Sequence, residues 1–86
     1  ILSNEPGYYK KNSFGIRIEN LVYVKQIKNR LCFQNLTLAP IEKELINYNL
    51  LDNNEKDYLF KYHLNLYSEY SALLNKKERK WLATLI

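Results

Sequence analysis

The sequence predicts an α+β fold, in which a small antiparallel sheet (one hairpin and a third strand) is followed by C-terminal helices. The first part of the chain holds β-rich segments separated by polar turns, whereas apolar residues recur every three or four positions in the last part. The 86 residues suffice for at most one small domain, and so short a chain buries proportionally little surface. With 47% hydrophobic residues, many apolar side chains are expected to face a neighbouring structure.

Three strands are predicted in the first half. Segments 1–9 and 14–24 flank the turn-prone stretch KKNS, and segment 31–39 follows a second polar turn, QIKNR, at 26–30. Side chains of the middle segment alternate between an apolar face and a face that is half charged and half apolar. The two faces carry, respectively, Ile16, Ile18, Val22 and Val24, and Arg17, Glu19, Leu21 and Tyr23. A face turned only to solvent would not usually combine these residue types.

Helices are predicted after Pro40, which ends the strand region. Residues 41–51 read as an irregular connection with room for one helical turn. Asp52 and Glu55 have the spacing of a capping box, which predicts a helix of at least five turns that ends at Asn75. Its apolar face is formed by Leu59, Tyr62, His63, Leu66, Tyr67, Tyr70, Leu73 and Leu74. A short final helix would place Trp81, Leu82 and Leu85 on one face.

Charge and composition argue against several functions. The net charge is +4, but the lysines are dispersed among asparagines and no arginine-rich stripe forms, so no nucleic-acid partner is expected. No apolar run approaches the length of a membrane span, and no membrane partner is expected. Cys32, the single cysteine, excludes an internal disulfide and has apolar neighbours, which predicts a core position and a reducing, cytoplasmic compartment. The chain has no methionine and begins at Ile1, within a predicted strand; we expect it to be a piece of a longer polypeptide.

Two glutamates, Glu5 and Glu19, interrupt the β-rich segments. In a hairpin whose turn centres near Asn12, position 5 lies opposite position 19, and directly opposed side chains share a face with Cβ atoms about 4.5–5.5 Å apart. Two facing carboxylates repel each other unless one is protonated or a cation lies between them. Carboxylate oxygens suit hard divalent ions such as Mn²⁺, so a metal site is one hypothesis.

Other arrangements of these residues also fit the pattern, and a solvated, salt-bridged surface is the usual one. Arg17, two residues before Glu19 on the same face, could neutralise the carboxylates, and the three side chains could form an ordinary salt-bridged surface. Pro6 and Gly7 could also insert a bulge that shifts the register by one residue. Spacing by itself therefore does not identify a metal site.

The sequence motifs around these glutamates are more specific than the spacing of the glutamates. "LSNEPGYY" followed by "FGIRIENL" resembles the end of the catalytic domain of Xaa-Pro aminopeptidases (aminopeptidase P) of the pita-bread metallopeptidase family. "NLTLAPIEKELI", "LLDNNEKDYLFKYH" and the terminal "WL" resemble the C-terminal extension of its longer members. The resemblance implies that residues 1–39 end a metallopeptidase catalytic domain and that residues 40–86 form the helical extension.

The resemblance also implies roles for individual residues. Glu5 would ligate one metal of a dinuclear site and act in proton transfer, Glu19 would bridge both metals, and Arg17 would orient the carboxylate ligands. The metals would be two divalent ions, with Mn²⁺ expected and Zn²⁺ or Co²⁺ as alternatives, and they would activate a bridging water. The substrate would be a peptide with a penultimate proline, from which the N-terminal residue is released.

The chain departs from the family pattern in its ligand set. The family requires two aspartates and a histidine before the EPG segment, and none precedes Glu5 here. Asp52, Asp57 and His63 come in the wrong order and lie on a predicted helix, where we expect a packed or capped histidine. The chain alone is therefore expected to be inactive, and its partner would be the remainder of the catalytic domain on the same or a separate polypeptide. The alternative is a non-catalytic remnant that acts as a packing or homodimerisation module, with tyrosines 58, 62, 67 and 70 on its surface.

Overall fold

The computed structural model describes all 86 residues and has the α+β architecture that the sequence predicts. Antiparallel strands occupy the first part of the chain, and two α-helices occupy the last part. The strands are β1 (Leu2–Asn4), β2 (Gly7–Lys10), β3 (Phe14–Arg17), β4 (Asn20–Ile27) and β5 (Arg30–Asn35), and the helices are α1 (Asn53–Ser71) and α2 (Lys76–Thr84). The chain divides into two compact units, Ile1–Leu38 and Ala39–Ile86. None of the helices is long and apolar enough to span a membrane.

The strands form two sheets where one was predicted. One sheet has the order β1-β4-β5, and β2 and β3 form a separate two-stranded ladder. The predicted first strand is interrupted at Glu5 and Pro6, and the predicted second strand is interrupted at Ile18 and Glu19. Pro6 has no backbone N–H to give to a ladder, which explains the break on its side.

Both hairpin turns lie where polar residues predicted them. In the first turn the Ser13 backbone N–H donates to the Lys10 carbonyl at 3.1 Å, and Asn12 at the third turn position has a φ of 58°, as a type II turn requires. In the second turn, Lys28 and Asn29 have φ values of 46° and 63°. Two consecutive positive φ values define a type I′ turn, whose twist matches that of the paired strands β4 and β5.

The first unit buries very little of its apolar surface. Val22 of β4 is its only buried hydrophobic residue, and Cys32, which the sequence placed in a core, is exposed. The predicted apolar face of the middle segment is also open, with Ile16, Ile18 and Val24 each more than two-fifths exposed. Two thin sheets provide no second layer to cover these side chains, and nothing else in this unit does so.

The second unit has a small core between its helices. Four of the residues predicted on the apolar face of α1 are buried, and Leu82 of α2 joins them; the four are Leu59, Tyr62, His63 and Leu66. Leu66 is completely buried. The prediction for Leu73 is wrong, because this residue lies beyond the end of α1 and is 79% exposed. On α2, Leu82 is buried and Trp81 is 63% exposed, so the predicted face of this helix is covered only in part.

Side chains cap both ends of the helices. The Asp52 carboxylate accepts from the Glu55 N–H at 2.8 Å and the Glu55 carboxylate accepts from the Asp52 N–H at 2.9 Å, which confirms the predicted capping box. Asn75, predicted only as a break, forms a second capping box with Glu78. At the C-terminal ends, Arg79 Nε donates to the Ser71 carbonyl at 2.7 Å, and Lys43 Nζ donates to the Thr84 carbonyl. These contacts satisfy carbonyls that a helix end leaves free.

Candidate metal site

Glu5 and Glu19 lie in the gap between the two ladders of the first unit. On one side of the gap Asn4 pairs with Asn20, and on the other side Gly7 pairs with Arg17. The two ladders keep one register, and in this register position 5 falls opposite position 19. Positions 5 and 19 are therefore opposed as predicted, and the bulge at Pro6 and Gly7 that would have shifted the register by one residue does not form.

A backbone hydrogen bond holds the strands together across the gap. The Ile18 N–H donates to the Pro6 carbonyl at 3.1 Å, so the two segments stay paired although neither residue belongs to a strand. Pro6 therefore lacks a donor but still contributes an acceptor. As a result, the backbone on either side of Glu5 and Glu19 is fixed by hydrogen bonds.

Arg17 forms an ion pair with Glu19. The guanidinium Nη2 lies 3.4 Å from Glu19 Oε2, and the two side chains are 52% and 46% exposed. An ion pair at this exposure contributes little to stability. The geometry of this ion pair fits an arginine that orients the Glu19 carboxylate. It fits equally well the ordinary salt-bridged surface that was the alternative interpretation of the sequence.

Tyr9 shares this face of the hairpin, and the sequence reasoning missed it. Tyr9 pairs with Gly15, and its ring lies across the two glycines of the ladder. A Cβ atom on Gly7 would lie 2.7 Å from the Tyr9 hydroxyl oxygen, and one on Gly15 would lie 2.6 Å from Tyr9 Cδ1. Both distances are too short for a carbon contact, so the glycines leave room for the ring. The spacing of Gly7, Tyr9 and Gly15 in the two segments was the available signal.

The chain supplies only part of a metal site. No group of three or more His, Cys, Asp or Glu side chains in the structure is placed to hold a metal ion. The three residues that could have replaced the missing metal ligands all have other partners. Asp52 caps α1, Asp57 pairs with Lys61 at 2.8 Å, and His63 Nε2 accepts the Ile41 N–H at 3.1 Å. Two opposed glutamates fit a hard divalent ion as ligands, but they do not complete its coordination.

Comparison with known proteins identifies a family and several relatives whose sequences are similar to this chain. A family model described as the C-terminal region of peptidase M24 matches residues 29–85. A protein of Laccaria bicolor named probable Xaa-Pro aminopeptidase P is 41% identical over 94% of this chain. Aminopeptidase P2 of Arabidopsis thaliana is also 41% identical, over 95% of the chain.

A solved structure is similar over nearly the whole chain. It is the X-prolyl aminopeptidase of Caenorhabditis elegans, described as a cytosolic enzyme with a di-nuclear active site, with 33% identity and a TM-score of 0.79 over 96% of this chain. The chain covers 15% of that structure, and 14% and 13% of the fungal and plant relatives. It thus spans about one seventh of their length. Because the family model matches about two-thirds of the residues, the chain belongs to the family of C-terminal regions of M24 peptidases.

Proposed function

We propose that this chain is the C-terminal part of a Xaa-Pro aminopeptidase, a hydrolase that removes the N-terminal residue before a penultimate proline. Its share of the function is to supply two of the five metal ligands, Glu5 and Glu19, and the helical extension. The chain alone is inactive. Its partners are the remainder of the catalytic domain and the peptide substrate, and its compartment is the cytoplasm, as described for the nematode relative.

The observation that carries this proposal is the common register of the two ladders, which brings Glu5 opposite Glu19. Opposed carboxylates are an electrostatic cost in a sheet unless a cation lies between them. The nematode relative, which is similar over 96% of the chain, is described as having a di-nuclear active site, and this supports the proposal of a cation pair at these glutamates. Two divalent ions, with Mn²⁺ favoured by the oxygen ligands, are therefore part of the proposal.

Each residue of the proposed site has a separate role. Glu5 and Glu19 would hold the metal pair, and Glu5 would also take part in proton transfer. Arg17 holds the Glu19 carboxylate in orientation through the 3.4 Å contact. When bound, the metal pair would activate a water molecule for attack on the peptide bond. The remaining ligands are on the part of the enzyme that this chain does not contain.

A second candidate function is a packing or dimerisation module that has no part in catalysis. The exposed aromatic Tyr58 on α1, at 58% exposure, supports it because aromatic residues are enriched at interfaces. Tyr62, however, is buried and its hydroxyl donates to the Ala39 carbonyl at 2.6 Å. The tyrosine surface predicted from the sequence is therefore smaller than expected.

Complementation tests the proposal directly. The purified chain is mixed with a Xaa-Pro aminopeptidase relative from which the segment similar to this chain has been deleted, and Mn²⁺ binding and Xaa-Pro peptide hydrolysis are measured. We expect no hydrolysis by either piece alone and hydrolysis by the mixture. Glu5→Gln or Glu19→Gln should abolish it, and Arg17→Gln should lower it by about 10–100-fold, since residues that orient ligands have effects of that size.

Glu69→Gln provides a matched control, because Glu69 is an exposed glutamate on α1 of the second unit and should leave hydrolysis unchanged. Full activity of the Glu5→Gln and Glu19→Gln mixtures would favour the packing module. Hydrolysis by the chain alone, with two tightly bound ions, would show that the chain carries further ligands and would contradict the proposal.

A further inference from the structure

Two consecutive residues of α1 hold the first residues of the second unit. The Tyr62 hydroxyl donates to the Ala39 carbonyl at 2.6 Å, and His63 Nε2 accepts the Ile41 backbone N–H at 3.1 Å. Pro40 lies between them and has no N–H of its own. The segment Ala39–Ile41, here called the leading segment, is thus attached to α1 by one donor and one acceptor.

The acceptor exists in only one protonation state of the imidazole. A neutral histidine has one acceptor nitrogen and one donor nitrogen, whereas the protonated ring has two donors. Protonation of Nε2 therefore does not merely weaken the bond to Ile41. It places two N–H groups against each other, and the ring or the leading segment has to move.

We propose that His63 is a proton-operated latch, which fastens the leading segment to α1 when the ring is neutral and releases it when the ring is protonated. Protonation should have a strong effect on the hydrogen bond to Ile41, because the His63 ring is buried and only 7% of the residue is exposed. The Tyr62 ring packs edge-on against it, with centroids 5.4 Å apart. The proposal concerns only the second unit and does not depend on the proposed peptidase function.

No acidic side chain lies beside His63 to stabilise its protonated ring. A cavity of about 470 Å³ opens beside the ring, and the titratable groups of its lining residues are those of Tyr48, Lys56, Tyr67 and, in the 86-residue chain, the terminal carboxyl group of Ile86. Burial, and not one of these groups, is the cause that lowers the pKa of His63. In the chain that follows the leading segment, the Glu42 carboxylate accepts the Glu44 N–H at 3.3 Å, and Lys43 reaches the end of α2.

The pH range of the release follows from burial. Burial lowers the pKa of His63 below its usual value of 6.5, because desolvation disfavours the charged ring. When the leading segment is released and water reaches the His63 ring on α1, the pKa of the ring returns towards its ordinary value and the ring binds the proton more tightly. The fastened state is therefore fully favoured above about pH 6.5, and it loses stability as the pH falls from there towards the lowered pKa.

Hydrogen exchange of the 86-residue chain, read by mass spectrometry on the peptide that contains Ile41, tests the latch. Protection is measured between pH 8 and 5 and corrected for the intrinsic pH dependence of exchange. We expect the protection of Ile41 to fall by about five- to tenfold on acidification, in keeping with the loss of one hydrogen bond. Peptides from α2 serve as the internal reference and should keep their protection.

Two variants separate the latch from general acid unfolding. His63→Gln offers a neutral oxygen acceptor that does not titrate, so Ile41 should stay protected at both ends of the pH range. Tyr62→Phe removes the other bond, so protection should be lower at every pH while the fall on acidification persists. The proposal is overturned if Ile41 protection in the original chain is independent of pH, if it falls equally in His63→Gln, or if α2 loses protection in parallel.

Discussion

At the scale of single residues, the packing on the hairpin face that carries Glu5 and Glu19 depends on the lack of side chains at Gly7 and Gly15. The Tyr9 ring lies where Cβ atoms on these glycines would be, and it is 65% exposed. The ring is thus held from the sheet side only. Both glycines are needed so that the Tyr9 ring can lie close to the backbone. A glycine considered alone in the sequence does not reveal this contact.

Replacing Gly15 by alanine should destabilise the β2-β3 ladder by about 0.5–1 kcal/mol, because the 65% exposed Tyr9 ring can turn out to solvent but then loses its contact with the sheet. The new Cβ would lie 2.6 Å from Tyr9 Cδ1, so the ring would have to leave this face. Hydrogen exchange of the ladder amides would measure the effect. In a Tyr9→Ala background the same substitution should cost much less, and an equal cost in both backgrounds would contradict the assigned contact.

At the scale of elements, the helices depend on side chains at their first residues. The two capping boxes, at Asp52 and at Asn75, satisfy backbone N–H groups that would otherwise have no partner within the helix. The helix α2 has only nine residues, and a helix this short is not stable in isolation. Its cap and its contact through the buried Leu82 therefore matter more than they would in a longer helix.

Asn75→Ala should lower the free energy of unfolding of the second unit by about 1 kcal/mol, because alanine cannot accept the Glu78 N–H. Asn65→Ala is the matched control, since Asn65 is exposed in the interior of α1 and alanine is the better helix former there. The same chemical change should thus destabilise at one position and stabilise slightly at the other. Chemical denaturation followed by helical circular dichroism measures both, and effects of equal sign would refute the capping role.

At the scale of the whole molecule, the first unit has far more apolar surface than it covers. Leu31 of β5 is 75% exposed and Phe33 is 69% exposed, and β5 is an edge strand of the three-stranded sheet. Exposed apolar edges are templates for pairing with other chains. In the proposed enzyme, the rest of the catalytic domain would cover them.

The isolated chain should therefore self-associate with increasing concentration, and analytical ultracentrifugation would show it. Leu31→Lys, which adds a charge to the edge strand, should reduce the association. Leu73→Lys is the control, because Leu73 is 79% exposed but follows α1 in the second unit and belongs to no strand. A monodisperse chain that melts cooperatively as a monomer would refute the prediction.

The sequence by itself determined the features that depend on neighbouring residues. The turns at Asn12 and at Lys28 and Asn29, the capping box at Asp52 and the opposed positions of Glu5 and Glu19 all follow from local conformational preference and from strand periodicity. The motifs around these glutamates also indicated the family. The cap at Asn75 could have been found in the same way, because Glu78 follows it at capping-box spacing.

Only the tertiary structure decided which predicted positions are covered. Leu59 and Leu82 are buried because two helices meet in the second unit, whereas Cys32, Ile18 and Trp81 lie in equally apolar patterns and are exposed. Periodicity gives the direction of a side chain but not whether another layer lies in that direction.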